Sequence, residues 1–121
     1  ARWANLKITA CFEPRSNTAV TNIFQDRFAE VLSLADHVLV GAVHRAEKIA
    51  PENRINPEAM ITKIKKFGKQ GRFFSKNEEL FNFLVNEQEN TPSQLVVFFS
   101  NGSFDGVIGR FAEFVKQRKR I

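Results

Sequence analysis

Apolar positions along the chain follow two rhythms in turn. Asn5 to Phe12, with Ile8, Thr9 and Phe12, alternates loosely and predicts a strand. Val20, Phe24, Phe28, Val31 and Ala35 then fall on one face of a helix expected from Thr21 to Ala35. The apolar run from His37 to Val43 predicts a second strand, buried on both faces. Asn56-Pro57-Glu58 has the form of a helix start, with a capping Asn, Pro in the first turn and an acid behind it. Met60, Ile61, Ile64 and Phe67 continue at helical spacing, and Gly68 stops the run. Arg72 to Phe74 predicts a short third strand. Ser75-Lys76-Asn77-Glu78 then has the spacing of a capping box, followed by a helix face of Leu80, Phe81, Leu84 and Val85. After the break at Thr91-Pro92, Gln94 to Phe99 reads as the clearest buried strand. Phe104, Val107, Ile108, Phe111 and Val115 outline a last helix, whose end carries Lys116, Arg118, Lys119 and Arg120.

The order is therefore β-α-β-α-β-α-β-α. It predicts an α/β fold with a mostly parallel sheet and helices on both faces. At 121 residues, 43% of them hydrophobic and 13 of them Phe, the chain fits one domain with a substantial core. The abrupt start on a strand suggests the end of a longer protein. The longest apolar run, Leu95 to Phe99, is far too short for a transmembrane helix. The single cysteine, Cys11, lies inside the first apolar run, so it reads as core and fits a reducing, cytoplasmic setting. The net charge of +5 favours anionic partners without choosing among nucleic acid, nucleotide and acidic peptide.

In open parallel sheets ligands bind beyond the carboxyl ends of the strands. Two loops should lie there. After the first strand comes Glu13-Pro14-Arg15-Ser16-Asn17-Thr18, which pairs an arginine fork with three helix-capping side chains. After the last comes Ser100-Asn101-Gly102-Ser103, where Asn-Gly permits positive φ and close backbone approach. If their strands are parallel neighbours, the loops share one crevice suited to an anion. The alternative on spacing alone is that both loops are ordinary helix caps. Other candidates carry less. His37 and His44 lack a surrounding ligand cluster, so no metal is expected. Lys63, Lys65, Lys66 and Lys69 read as a solvated helix face. Gly102, Gly106 and Gly109 have the wrong spacing and position for a dinucleotide fingerprint. The chain has no Gly-Lys-Thr phosphate loop and no complete nucleophile–base arrangement, so catalytic residues are not expected within it. On the residues alone, a stand-alone α/β module binding an anion or nucleotide remains open. A nucleic-acid role has only the charge behind it, since no stacking platform or groove helix is apparent.

The two loop motifs, Glu13-Pro14-Arg15-Ser16-Asn17-Thr18 and Ser100-Asn101-Gly102-Ser103-Phe104, resemble paired motifs of the Mur ligase C-terminal domain, and Val43-His44-Arg45-Ala46-Glu47-Lys48-Ile49 resembles a middle region of such a ligase in some bacteria. The likeness extends over essentially the whole chain. It departs at Ala19, where the family usually has Met, and at Ser103 and Asp105, where it has Gly. The resemblance implies a Rossmann-like three-layer domain spanning residues 1–121, the last of three in a cytoplasmic bacterial enzyme. That enzyme would use ATP and Mg²⁺, bound mainly by the central domain, to activate a muramoyl carboxyl group as an acyl phosphate. It would join UDP-N-acetylmuramate to the tripeptide L-alanyl-γ-D-glutamyl-meso-diaminopimelate in peptidoglycan recycling, or in a sister activity to L-alanine. The partners implied are these substrates and the other domains of the same chain, with no nucleic acid and no membrane. The same resemblance assigns peptide binding to Arg15, Ser16, Asn17, Thr18, Ser100, Asn101, Gly102 and Phe104. Arg15 would pair with a carboxylate or the acyl-phosphate region. Phe104 would pack either in the core or on an aliphatic part of the peptide.

Overall fold

In the computed structural model the described residues are 6–15, 21–43, 46–91, 93–100 and 102–118. Four strands, β1 (Lys7–Phe12), β2 (His37–Val40), β3 (Gln70–Phe73) and β4 (Gln94–Phe99), form one sheet in the order β3-β2-β1-β4. Every neighbouring pair is parallel. The α helices are α1 (Gln25–Leu32), α2 (Pro57–Lys66), α3 (Asn77–Asn90) and α4 (Val107–Arg118), with two short 3-10 turns between β2 and α2. This is the alternating α/β architecture the sequence pattern predicts.

Strand alternation sorts the core into two layers. On one face Ala10, Phe12, Val38 and Val40 pack against Ala29 and Leu32 of α1 and Met60, Ile61 and Ile64 of α2. On the other, Cys11 and Leu39 meet Leu80 and Leu84 of α3 and Val107 and Phe111 of α4. β2, inside the sheet, is buried along its whole length, as its unbroken apolar run implies. Cys11 is core as expected, and its burial pushes the thiol far above its ordinary range. The local signals around α2 hold as well. Asn56 Oδ1 accepts from the Ala59 N–H at 3.1 Å, Pro57 opens the helix, and Gly68 follows its end with φ of 81°.

Three expectations are corrected. β4 is an edge strand: Val96 and Phe98 face the α3–α4 layer, whereas Leu95 and Phe99 are 40% and 47% exposed. Its apolar run resembles that of a central strand because a run of five apolar residues does not say which strand lies outermost. α1 is only eight residues long, and its sheet-facing residues are Ala29 and Leu32. Phe24 and Val31, expected on the core face, are 49% and 52% exposed. Finally, Ser75 does not cap α3. The cap position is Lys76, without a side-chain hydrogen bond, and Glu78 instead receives Arg110 in a fork at 2.6 and 3.0 Å. Asn77 is thereby free to serve elsewhere.

An apolar groove of about 730 Å³ runs along the uncovered side of β4 beside α1, bordered by Ile8, Phe28, Val31, Leu34, Val97 and Phe99. Glu13 and Ser100 form its polar end.

Candidate functional site at the carboxyl ends of the strands

The strand register brings the two candidate loops together. β1 and β4 are parallel neighbours with Phe12 opposite Phe99, so both chains leave the sheet at the same height and side by side. The ladder runs one step further, with the Glu13 N–H donating to the Phe99 carbonyl at 3.0 Å. On the other side of β1, the Gly41 N–H donates to the Phe12 carbonyl at 2.9 Å, so the end of β2 joins the same rim.

Side chains then tie these ends together. The Ser100 hydroxyl donates to Glu13 Oε1 at 2.5 Å and accepts the Gly102 N–H at 3.1 Å. Glu13, only 3% exposed, is a buried carboxylate whose donors come from the end of β4 and the start of α3. Its other oxygen receives Asn77 Nδ2 at 3.4 Å, and the same nitrogen donates to Asp105 Oδ2 at 2.7 Å. The amide oxygen of Asn77 accepts the Ala42 N–H at 2.9 Å. One side chain at the start of α3 therefore touches the segments that follow β1, β2 and β4.

Arg15, half-buried, lies across Gly102. A Cβ at position 102 would stand 2.6 Å from Arg15 Nε and 2.9 Å from Cδ, closer than atoms pack, and 3.2 Å from Cζ. The absence of a side chain at 102 lets Arg15 lie in that place, and no unusual backbone twist is involved. Positive φ occurs instead at Phe104 (59°), Asp105 (54°) and Gly106 (81°), a left-handed run between the loop and α4. Two of those residues carry side chains, for which this region costs roughly 1–2 kcal/mol each. The full burial of Phe104 accompanies the unusual backbone. Its ring stands edge-on to Phe98 with centroids 5.9 Å apart. Phe104 is thus a core residue, and the peptide contact that the family likeness allowed for it does not fit its position. Ser16, Asn17, Thr18 and Asn101 lie outside the described residues.

The arrangement presents the Arg15 fork at the rim of a parallel sheet, on a loop whose shape is held by the Ser100 hydroxyl, bonded to Glu13, and the Gly102 N–H, bonded to Ser100. That chemistry suits recognition of a carboxylate or phosphate group. Sequence reading reached Arg15, Ser100 and Gly102 by their place after strands. It did not reach Glu13 as the anchor, nor Asn77 and Asp105. Asn77 sat inside an apparent capping motif, and nothing in its neighbourhood along the chain shows that it meets residues 64 positions earlier and 28 later. Among the described residues no group of three or more His, Cys, Asp or Glu side chains is placed to hold a metal ion.

The fold is shared with known ligase domains. A murein peptide ligase from Psychrobacter arcticus superposes with a TM-score of 0.68 at 22% identity, over 94% of this chain and 22% of that one. A domain of a protein assigned as a UDP-N-acetylmuramate:L-alanyl-γ-D-glutamyl-meso-diaminopimelate ligase from Haemophilus ducreyi superposes with a TM-score of 0.59 at 18% identity, over 94% of this chain and 72% of that domain. The chain spans about a fifth of the length of the Psychrobacter enzyme. No family model and no curated protein sequence matches it. At these identities the likeness establishes a shared fold, that of murein-precursor ligase domains.

Proposed function

We propose that this chain is the peptide-binding C-terminal domain of an ATP-dependent ligase that joins L-alanyl-γ-D-glutamyl-meso-diaminopimelate to UDP-N-acetylmuramate, a step of cell-wall recycling in the cytoplasm. The observation that carries the reading is Arg15 lying over Gly102 at the junction of two loops that are 87 positions apart in the pairing of Glu13 with Ser100. The fold shared with two murein ligase structures supports it.

In this reading the chain binds and orients, and the bond-making groups are supplied by other domains of the same polypeptide. With no Gly-Lys-Thr loop in the sequence, the residues here do not fit a role as the holder of ATP and Mg²⁺. The amine of the tripeptide attacks the activated muramoyl carbonyl, and phosphate leaves. Arg15 holds a peptide carboxylate by a charge-assisted fork, an interaction of about 1.5–3 kcal/mol. Ser100 and the Gly102 backbone form the facing wall, and Ser16, Asn17, Thr18 and Asn101 complete the two loops. Closure of this domain over its neighbours keeps water from the acyl phosphate.

The test is steady-state kinetics on the intact enzyme. Arg15→Ala raises the KM for tripeptide at least tenfold and leaves that for UDP-N-acetylmuramate within twofold. Unchanged tripeptide dependence refutes the assignment of Arg15. An intact enzyme that takes L-alanine and not the tripeptide refutes the choice of substrate.

A further inference from the structure

Asn77 is the first residue of α3 and only 6% exposed, yet it does not serve its own helix as a cap. Its amide is spent on three partners from three other segments: the Ala42 N–H after β2, the Glu13 carboxylate after β1 and the Asp105 carboxylate after β4. The chemistry of the partners fixes the residue type. One is a donor and two are acceptors, and a primary amide presents one acceptor oxygen and two donor hydrogens. An aspartate in its place would face two carboxylates with no proton to give. A leucine would leave all three groups unpaired. Space is reserved for the amide as well, since a Cβ on Gly41 would lie 2.6 Å from Asn77 Oδ1.

From Asn77 the connections continue to the candidate site. Glu13 takes the Ser100 hydroxyl, Ser100 takes the Gly102 N–H, and Gly102 supports Arg15. Asp105 lies in the left-handed run beyond that loop. We infer that Asn77 is a positioning residue for the peptide site: it holds the loops after β1 and β4 at the separation that lays Arg15 across Gly102. This rests on the functional reading above, but the grip on the loops is testable without it.

The experiment uses the intact enzyme and the variants Asn77→Asp, Asp105→Gly and the exchange pair Asn77→Asp/Asp105→Asn. Asn77→Asp keeps the acceptor for the Ala42 N–H and loses both donors. The exchange pair returns one hydrogen bond with donor and acceptor reversed, and Asn tolerates the left-handed backbone at 105. Asp105→Gly removes an exposed acceptor where glycine suits the backbone, and serves if Asn77→Asp does not fold. Asn77→Asp raises the KM for tripeptide at least fivefold, with those for ATP and UDP-N-acetylmuramate within twofold. The exchange pair recovers at least half of that loss on a logarithmic scale. Asp105→Gly shifts the KM for tripeptide upward at least twofold. Hydrogen exchange followed by mass spectrometry shows faster exchange at residues 13–15 and 100–106 in Asn77→Asp.

Unaltered exchange in those loops overturns the inference whatever the substrate is. Faster exchange with an unaltered KM for tripeptide also overturns it, reducing Asn77 to a purely structural residue. So does a loss spread equally over all three substrates, or an exchange pair no better than the single variant. A wild-type enzyme that does not use the tripeptide overturns the functional reading and with it this role, and it is recognised before any variant is compared.

Discussion

Substituting Gly102 and Gly41 by alanine adds the same methyl group to two glycines of one rim, and the consequences should be opposite. At Gly102 the new Cβ stands 2.6 Å from Arg15 Nε, 2.9 Å from Cδ and 3.2 Å from Cζ. All three atoms belong to the far part of a long side chain at a half-buried position. Arg15 can swing aside by about an ångström, so the fold loses less than roughly 1 kcal/mol, within the range of ordinary surface substitutions. What it forfeits is the guanidinium's place over the loop. A charge-assisted hydrogen bond worth about 1.5–3 kcal/mol corresponds to roughly a 10- to 150-fold change in affinity. At Gly41 the Cβ meets Asn77 Oδ1 at 2.6 Å and the Phe104 ring at 2.6 and 2.9 Å. Asn77 and Phe104 are both buried, and the latter is closed in completely. Neither can retreat, so overpacking of about 1–3 kcal/mol is expected, a drop in Tm of several degrees for a domain of this size. Thermal denaturation together with the KM for tripeptide of the intact enzyme separates the two. Gly102→Ala should lose tripeptide affinity at nearly unchanged Tm, and Gly41→Ala should lose Tm. If Gly102→Ala binds tripeptide normally, Arg15 does not act from the position it holds over Gly102. If Gly41→Ala is as stable as the parent, the packing argument at that corner is wrong.

Further outcomes concern groups away from the rim. His37 is 4% exposed, with neither ring nitrogen hydrogen-bonded among the described residues and Glu87 3.8 Å from Nδ1, and burial lowers its pKa to about 4, with Lys7 adding to the effect and Glu87 opposing it. Because the unfolded chain protonates first, this group's contribution is fully present above about pH 6.5 and is lost as pH falls toward 4, by up to about 3 kcal/mol. Urea titrations at pH 7 and pH 5 should show a larger loss for the parent than for His37→Gln, and equal losses would refute the assignment. Cys11 should stay unreactive toward an aromatic disulfide reagent until the protein unfolds, because its thiol is buried and held neutral; prompt labelling of native protein would contradict that. Arg110→Ala removes an exposed fork to Glu78 and the guanidinium lying 4.0 Å from the Phe81 ring centroid. It should lower Tm less than Gly41→Ala does, and high salt should narrow its difference from the parent; a larger or salt-independent loss would refute the surface reading.

Much of this protein is legible from local rules, because strands, helices and their punctuation are set by residues close together in the chain. The alternation of apolar rhythms was enough for the number and order of strands and helices and for a parallel α/β sheet. Asn56-Pro57 and Gly68 bounded α2 by capping and backbone preference alone, and the two strand-end loops stood out by composition. The tertiary structure decided what depends on which strand lies beside which. The order β3-β2-β1-β4 put β4 at an edge, exposing Leu95 and Phe99 that looked central, and placed the loops after β1 and β4 side by side. It buried Phe104, turned Ser75-Lys76-Asn77-Glu78 from a capping box into two long-range connections, and gave Glu13, Asn77 and Asp105 a shared network. An amide or carboxylate side chain reads the same in any sequence. Its partners are fixed only when the sheet closes and segments tens of residues apart reach hydrogen-bonding distance.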